Sequence, residues 1–472
     1  MNASPNPEHS AVRPNRRRFL QTASGIIAAA TVVPRHVLGG AGQTAPSAKL
    51  NLGAVGVGGY AQTFLKGMAD TGENITALCD LDHQYAGKVL EAYPQARRYR
   101  DFRELFAQEK DLDGVLVGVP DHSHAVVCLE AIRRRKHVLC MKPLTRTIYE
   151  ERVVVKAARE AGIVTHVTAN SNTNERALRL REMIEDGAVG DVTEVHCWVP
   201  HPCWPSGMVR PAGSDTVPKD FNWDLWIGPA PMRPFKDEYA EDSLAPLQIP
   251  FKSYFPYPRK VYHPFNFRGW WDFGTGAIGD WCCHFFNWVF PAFNLKHPAA
   301  VHASTTRLQT ETAPLAAMVT YDFAAREGLP PLRLTWYDGG MKPPRPLELD
   351  SDVDLPREGT LVIGSRGKLL VGSMPQLLPL SHHKAYKLPP QKYPRDLRPP
   401  PAQWVQAIKT GEKPSCSFDW AGLITEVGLL GNVAIRTGER IEWDPANMRV
   451  TNVEKANEFI KPVYREGWKL EV

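Results

Sequence analysis

Residues 51–61 read Asn-Leu-Gly-Ala-Val-Gly-Val-Gly-Gly-Tyr-Ala, and this stretch decides the fold. An apolar run, Leu52 to Val57, closes into Gly56-Val57-Gly58-Gly59-Tyr60-Ala61. The pattern is G-x-G-x-x-A at the join of a strand and a helix. Each small residue has a physical task. Gly56 permits a tight turn, Gly58 lets a pyrophosphate approach the main chain over Gly58, Gly59 and Tyr60, and Ala61 lets the new helix pack close to the strand. Free N–H groups and the positive dipole end of that helix then face the phosphates.

A second signal stands where a dinucleotide site needs it. The next apolar run, Ile75 to Cys79, ends at Asp80, with Asp82 just beyond. An acid at a strand end about twenty positions after the glycines binds the ribose hydroxyls of adenosine and repels a 2′-phosphate. The pair of signals predicts NAD, with NADP the less favoured cofactor.

Working outward, strands and helices alternate. Gly114 to Gly118, His137 to Cys140 and Ile163 to Thr168 read as strands. Ala61 to Ala69, Asp101 to Gln108, His124 to Arg134 and Ile148 to Ala161 read as helices. This alternation predicts a doubly wound parallel sheet of Rossmann type over residues 48–170. From about residue 171 to 472 the texture changes. Strands are predicted at Val192 to Val199, Ala300 to Arg307, Ala316 to Phe323, Leu332 to Trp336, Gly359 to Ile363 and Lys368 to Val371. A second α/β domain with a large open, mainly antiparallel sheet follows from them. The fold class is therefore α/β in two domains. Within the second runs a Pro- and Trp-rich stretch, Pro200 to Trp271, of the kind that covers a site. Eight of the thirteen tryptophans lie between Trp198 and Trp288. Their faces suit sugar C–H faces, although for any single one core packing is the simpler reading.

The formal charge is +5, of which residues 1–47 hold +4 through five arginines against Glu8. The remainder is close to neutral, which argues against a nucleic-acid or anionic-membrane partner. The first 47 residues read as an address. Asn15-Arg16-Arg17-Arg18-Phe19-Leu20-Gln21 precedes a mildly apolar run too short to span a bilayer, in the layout of a twin-arginine (Tat) export signal. No cysteine stands near it to carry a lipid anchor. A periplasmic or secreted protein, exported folded by the Tat machinery with its cofactor already loaded, is the expectation. Eight cysteines form no C-x-x-C, and several lie in apolar runs, so buried free thiols are expected.

Three segments carry chemistry. Pro120-Asp121-His122-Ser123-His124 follows a strand, where loops line the ligand crevice of an open parallel sheet. Pro120, His122 and His124 are read as cofactor contacts. The H-x-H pair has no further ligands at metal spacing, so no metal is expected. Lys142, in Met141-Lys142-Pro143 after the strand His137 to Cys140, stands where it can hold a substrate hydroxyl beside a nicotinamide. Gly274-Thr275-Gly276-Ala277-Ile278-Gly279-Asp280-Trp281-Cys282-Cys283-His284 leads into a helix on which Asp280 and His284, four apart, share a face. Histidine has the intrinsic pKa of a hydroxyl-proton acceptor, and Asp280 can tune it or bind substrate.

In this order the motifs resemble the glucose–fructose oxidoreductase, inositol dehydrogenase and rhizopine-catabolism (Gfo/Idh/MocA) family. The resemblance runs over most of the chain from Lys49, and His263-Pro-Phe-Asn-Phe-Arg-Gly-Trp-Trp is similar to a secreted bacterial branch. It implies a Rossmann domain with an open-sheet partner domain, NAD(P), and alcohol oxidation on a sugar or polyol. The family's lysine maps to Lys142 and its Asp–His pair to Asp280 and His284. The family usually has an acid before the lysine, where this chain has Met141, and the general-base role therefore shifts to His284. Arg268, Trp270 and Trp271 are assigned to the sugar pocket. Redox-neutral glycoside cleavage or epimerisation through a keto-sugar on retained NAD is the alternative. A non-catalytic sugar- or NAD-binding protein is the third, disfavoured by the presence of Lys142 and His284. A dimer or tetramer is expected by analogy with the family.

Overall fold

The computed structural model describes residues 1, 49–169, 171–200, 204–243 and 259–470. The export signal read in residues 1–47 and Cys203 lie outside the described residues, save for Met1.

Residues from Asn51 onward build two sheets. The first holds β1 (Asn51–Val55), β2 (Asn74–Cys79), β3 (Arg97–Tyr99), β4 (Gly114–Val117), β5 (His137–Met141) and β6 (Thr165–Thr168). Their order is β3-β2-β1-β4-β5-β6, all parallel. The order reverses between β1 and β4, and a crevice opens at such a point beyond the carboxyl ends of the strands. Apart from the edge strand β3, these strands are short, largely buried apolar runs, as a helix-covered parallel sheet requires. Helix α1 (Ala61–Ala69) leaves the glycine turn, α2 (Asp121–Arg133) follows β4 and α3 (Ile148–Ala161) follows β5. Thr147 and Glu150 form a capping box at the start of α3, and Gly162 ends it in the left-handed conformation.

The second sheet adds β7 (Val192–Trp198), β8 (Ala300–Thr305), β9 (Ala317–Phe323), β10 (Leu332–Tyr337), β11 (Gly359–Gly364), β12 (Gly367–Val371), β13 (Pro375–Leu378), β14 (Ile441–Asp444) and β15 (Arg449–Val450). It has nine strands in the order β13-β12-β11-β7-β10-β9-β8-β14-β15. Pairing is antiparallel throughout except between β7 and β10. The α/β class with a parallel Rossmann sheet and a second, mainly antiparallel sheet is thus as the sequence predicts.

One face of the second sheet is covered by α4 (Glu175–Glu185), α5 (Gly276–Phe293) and α6 (Phe418–Thr437), whose apolar sides join the first sheet's helices in one core. Each Leu, Ile or Phe fully buried there contributes about 1.5–3 kcal/mol through removal from water. On the opposite face, Trp198, Tyr337, Leu361, Leu370 and Leu378 are covered by Leu349 and Leu355 from the β10–β11 connection. The open sheet is therefore closed over part of its outer face by its own chain.

The Trp-rich stretch folds as an aromatic cluster of its own, in which Trp223, Trp226, Tyr262, Trp270 and Phe273 bury one another. Trp223 and Trp226 stack at 4.8 Å between centroids. Most of these rings serve packing. The seven described cysteines, Cys79, Cys128, Cys140, Cys197, Cys282, Cys283 and Cys416, are buried free thiols.

Candidate active site

The cleft lies at the reversal between β1 and β4. It is lined by Gly56, Gly58, Gly59, Tyr60, Ala61 and Asp80 on one side and by Pro120, His124, Met141 and Lys142 on another. Gly56 has φ +78° and sits so close to β4 that a Cβ would lie 2.6 Å from the main chain of Gly118. Only glycine closes that turn. A Cβ on Gly58 would stand 2.4 Å from Cε1 of Tyr85, so the Tyr85 ring lies where any side chain at 58 would be.

Asp80 is tied into the glycine turn. Its Oδ2 accepts from the amides of Val57 at 2.9 Å and Gly58 at 3.1 Å, and its Oδ1 from the amide of Asp82 at 3.0 Å. Burial raises its pKa, and the three amides and His263 pull against that rise. Asp82 is bound by Nε2 of His263 at 3.0 Å and by the amides of Gln84 and Tyr85. Burial works against its charge, but the His263 hydrogen bond and those amides hold its pKa below the usual value. His263 also meets the Tyr85 ring edge-on at 5.3 Å. Residues 263–268 thereby cross one side of the cleft as a strap, with His263, Pro264, Phe265, Phe267 and Arg268 in its lining. His263, Tyr85 and Phe267 were not legible as site residues, because only the long-range contact of two loops brings them there.

The chemical centre lies where β5 meets the start of α5. The Lys142 ammonium is ion-paired with Oδ2 of Asp280 and also donates to its main-chain carbonyl at 3.3 Å. Nε of Arg268 donates to Oδ1 of the same carboxylate at 3.1 Å. Asp280 is buried, which opposes ionisation, yet Lys142 and Arg268 outweigh burial and keep it charged. Asp121, 1% exposed, lies beside this group and accepts from Oγ1 of Thr275 at 3.2 Å. Burial pushes its pKa up to about 7, against the Arg268 charge and with help from Asp280.

His284 follows one turn after Asp280 on α5, partly exposed and within reach of the Lys142 charge, outside the lining of the cleft at the glycine turn. Burial first, then the Lys142 charge, push its pKa down to about 3 against the pull of Asp280, so its imidazole is neutral at physiological pH.

Three sequence assignments are corrected by these positions. His122 is fully buried, with Nδ1 3.3 Å from the carbonyl of Phe273 and Nε2 2.9 Å from that of Trp226. It ties the first sheet's domain to the aromatic cluster and does not line the cleft. The cause is local: Asp121 to His124 form the first turn of α2 rather than a loop, which turns His122 away. Trp270 is fully buried and donates from Nε1 to the carbonyl of Val261 at 2.9 Å. Trp271 packs under the Arg436 guanidinium, 5.4 Å from its ring, behind the start of α5. Neither tryptophan lines the cleft, whereas Arg268 does. His124 does line it, with Nδ1 2.7 Å from the Pro143 carbonyl and Nε2 2.8 Å from that of Val119. Burial lowers the pKa of His124 to about 4.

Residues 50–169 match the oxidoreductase family GFO/IDH/MocA over its NAD-binding Rossmann fold. The inositol 2-dehydrogenase of Salmonella typhimurium is 28% identical over 151 residues, which cover 31% of this chain and 45% of that protein. The chain thus spans less than half the length of the curated relative it matches. Among solved structures, the WlbA dehydrogenase of Bordetella pertussis, in complex with NADH and UDP-GlcNAcA, is similar over 84% of this chain and 99% of its own at 16% identity and a TM-score of 0.56. The aldose–aldose oxidoreductase of Caulobacter crescentus covers 84% of this chain and 100% of its own at 17% identity and a TM-score of 0.51. At such identities the two structures speak for the fold alone. The glycine turn fits a dinucleotide, since it joins the end of β1 to the start of α1 with Asp80 at the end of β2. Over residues 50–169, the chain is therefore similar to the NAD-binding Rossmann domain of the Gfo/Idh/MocA oxidoreductase family.

Proposed function

We propose that the protein is an NAD-dependent oxidoreductase acting on a CH–OH group of a sugar, glycoside or cyclitol. The observation that carries this reading is the meeting of Lys142, Asp280 and Arg268 at the cleft that begins at the glycine turn. When bound, NAD supplies a two-electron hydride acceptor. Gly56, Gly58, Gly59, Tyr60 and Ala61 would hold its phosphates, and Asp80 its adenosine ribose. Lys142, fixed by Asp280, directs N–H donors at a substrate oxygen and stabilises negative charge developing there. His284 is neutral and can accept the hydroxyl proton. So weak a base works best late, when loss of hydride has made the hydroxyl strongly acidic.

His284→Ala tests this assignment. Hydride transfer should fall by about 10²–10⁴-fold, the usual range for a lost acid–base group, with NAD occupancy unchanged. Full turnover would remove His284 as the base.

A second reading is favoured by the strap. His263 on Asp82, with Tyr85 over the glycines, encloses the cleft. A retained NAD, reduced and reoxidised within one turnover, would serve redox-neutral cleavage of a glycoside or epimerisation. Retention also suits export: the signal read in residues 1–47 would carry a loaded protein to the periplasm or beyond, where free cofactor is scarce. Purified protein that already holds NAD and acts on a glycoside without added cofactor would favour this second reading over net oxidation.

A further inference from the structure

Helix α4 begins next to α5, and its residues Glu175, Arg179 and Glu182 are joined with Arg395 in an ion-pair network. Arg176, on the same first turn, stands outside it. Its guanidinium lies over the ring of Trp288, 3.9 Å from the centroid, and Nη1 donates to the carbonyl of Gly372 at 3.2 Å. Trp288 is one turn along α5 from His284, and the Arg176 charge reaches His284 and lowers its affinity for a proton. Among the described residues no carboxylate forms an ion pair with Arg176. The acid whose field reaches it, Glu358, is exposed.

Two costs fall on this one side chain. Partial burial disfavours its charge and lowers its pKa. A cation in the first turn of a helix opposes the macrodipole. A methionine or leucine would cover Trp288 without either cost. Stacking holds the guanidinium plane still, which leaves its remaining N–H edge as a fork matched to a planar or tetrahedral anion.

We propose that Arg176 receives an anionic group of the substrate, so that the sugar bound beside His284 carries a carboxylate or a phosphate. The inference rests on the carbohydrate reading of the site and narrows it to acidic sugars.

The test titrates the intact protein, with NAD bound, with glucuronate, galacturonate and glucose 6-phosphate against glucose and galactose. Tryptophan fluorescence reports binding, because Trp288 lies under the guanidinium. At least one anionic sugar should bind roughly tenfold or more tighter than its neutral parent, as a charge-assisted contact provides. The advantage should shrink with added salt, disappear in Arg176→Gln and survive in part in Arg176→Lys. Whether the uronates or the phosphate gain identifies the anion. Melting temperature and NAD content check that each variant is folded. Equal affinity for acid and neutral sugars, an advantage retained in Arg176→Gln, or no binding by any sugar overturns the inference. Loss of carbon-bound deuterium from labelled sugars reads the oxidoreductase proposal separately. Tight acid binding without exchange would sink that proposal and leave the role of Arg176 standing, and exchange with neutral sugars alone would do the reverse.

Discussion

The ammonium of Lys142, at the end of the first sheet, is ion-paired with the carboxylate of Asp280, 138 residues further along at the start of the helix that underlies the second sheet. Arg268 takes the other oxygen of that carboxylate, so one buried acid holds two cations at the cleft.

Asp280→Asn should therefore damage both fold and chemistry. Breaking a buried pair from one side typically costs about 3–5 kcal/mol, because the cations left behind have no partner. Urea denaturation should register a loss of that order. Hydride transfer should drop by at least about 10²-fold, since Lys142 is no longer fixed. A folded, active Asp280→Asn variant would show that Arg268 and Lys142 find other partners.

The Tyr85 ring occupies the space beside Gly58. Gly58→Ala should weaken NAD binding by roughly tenfold or more, as overpacking a tight contact costs about 1–3 kcal/mol. Adding Tyr85→Ala to the same chain removes the obstructing ring and should recover part of that loss. Calorimetric titration of the stripped protein with NAD compares the two, and equal affinities for the single and double variants would place the obstruction elsewhere.

Acidity reads out Asp121. Burial lifts its folded pKa to about 7, well above its unfolded value near 3.8. Between those values the folded protein holds a proton that the unfolded chain has released. The stability linked to this group is thus complete below about pH 4 and is lost as pH rises to about 7. Asp121→Asn, neutral throughout, should lose less stability than the parent over that interval. Parallel curves of denaturation midpoint against pH would show that Asp121 ionises freely.

His263 binds Asp82 and meets Tyr85, and these contacts fasten the strap. His263→Ala should speed the escape of bound NAD by roughly tenfold, a loss of one or two contacts of about 1 kcal/mol each. Dialysis followed by native mass spectrometry measures it. An unchanged half-life of the bound form would mean that the glycine turn alone retains the cofactor.

The alternation of strands and helices from Asn51 to Thr168 and the spacing of Gly56, Gly58 and Asp80 are local patterns, and five strands of the first sheet were legible from them; the sixth, the three-residue edge strand β3, was not. The nine strands of the second sheet were legible only in part. β13, β14 and β15 are two to four residues long and too short to declare a period. At the site, Lys142 and Asp280 stood out because each sits at the end of a readable element. Trp270 and Trp271 misled because an aromatic ring looks the same in sequence whether it faces a ligand or a core. Asp121 was visible in its motif, but its burial beside Arg268 and Thr275 depends on a contact across more than 140 residues, which no local pattern reports.

Asp80, the residue proposed to hold the ribose, also binds the amides of Val57 and Gly58. Cofactor choice and cofactor grip are mechanically linked through this one carboxylate. Exchanging Asp80 for a small neutral residue to admit a 2′-phosphate would release the two amides that shape the turn beneath the pyrophosphate. The chain could change its preferred dinucleotide that way only by first rebuilding the loop that holds either one.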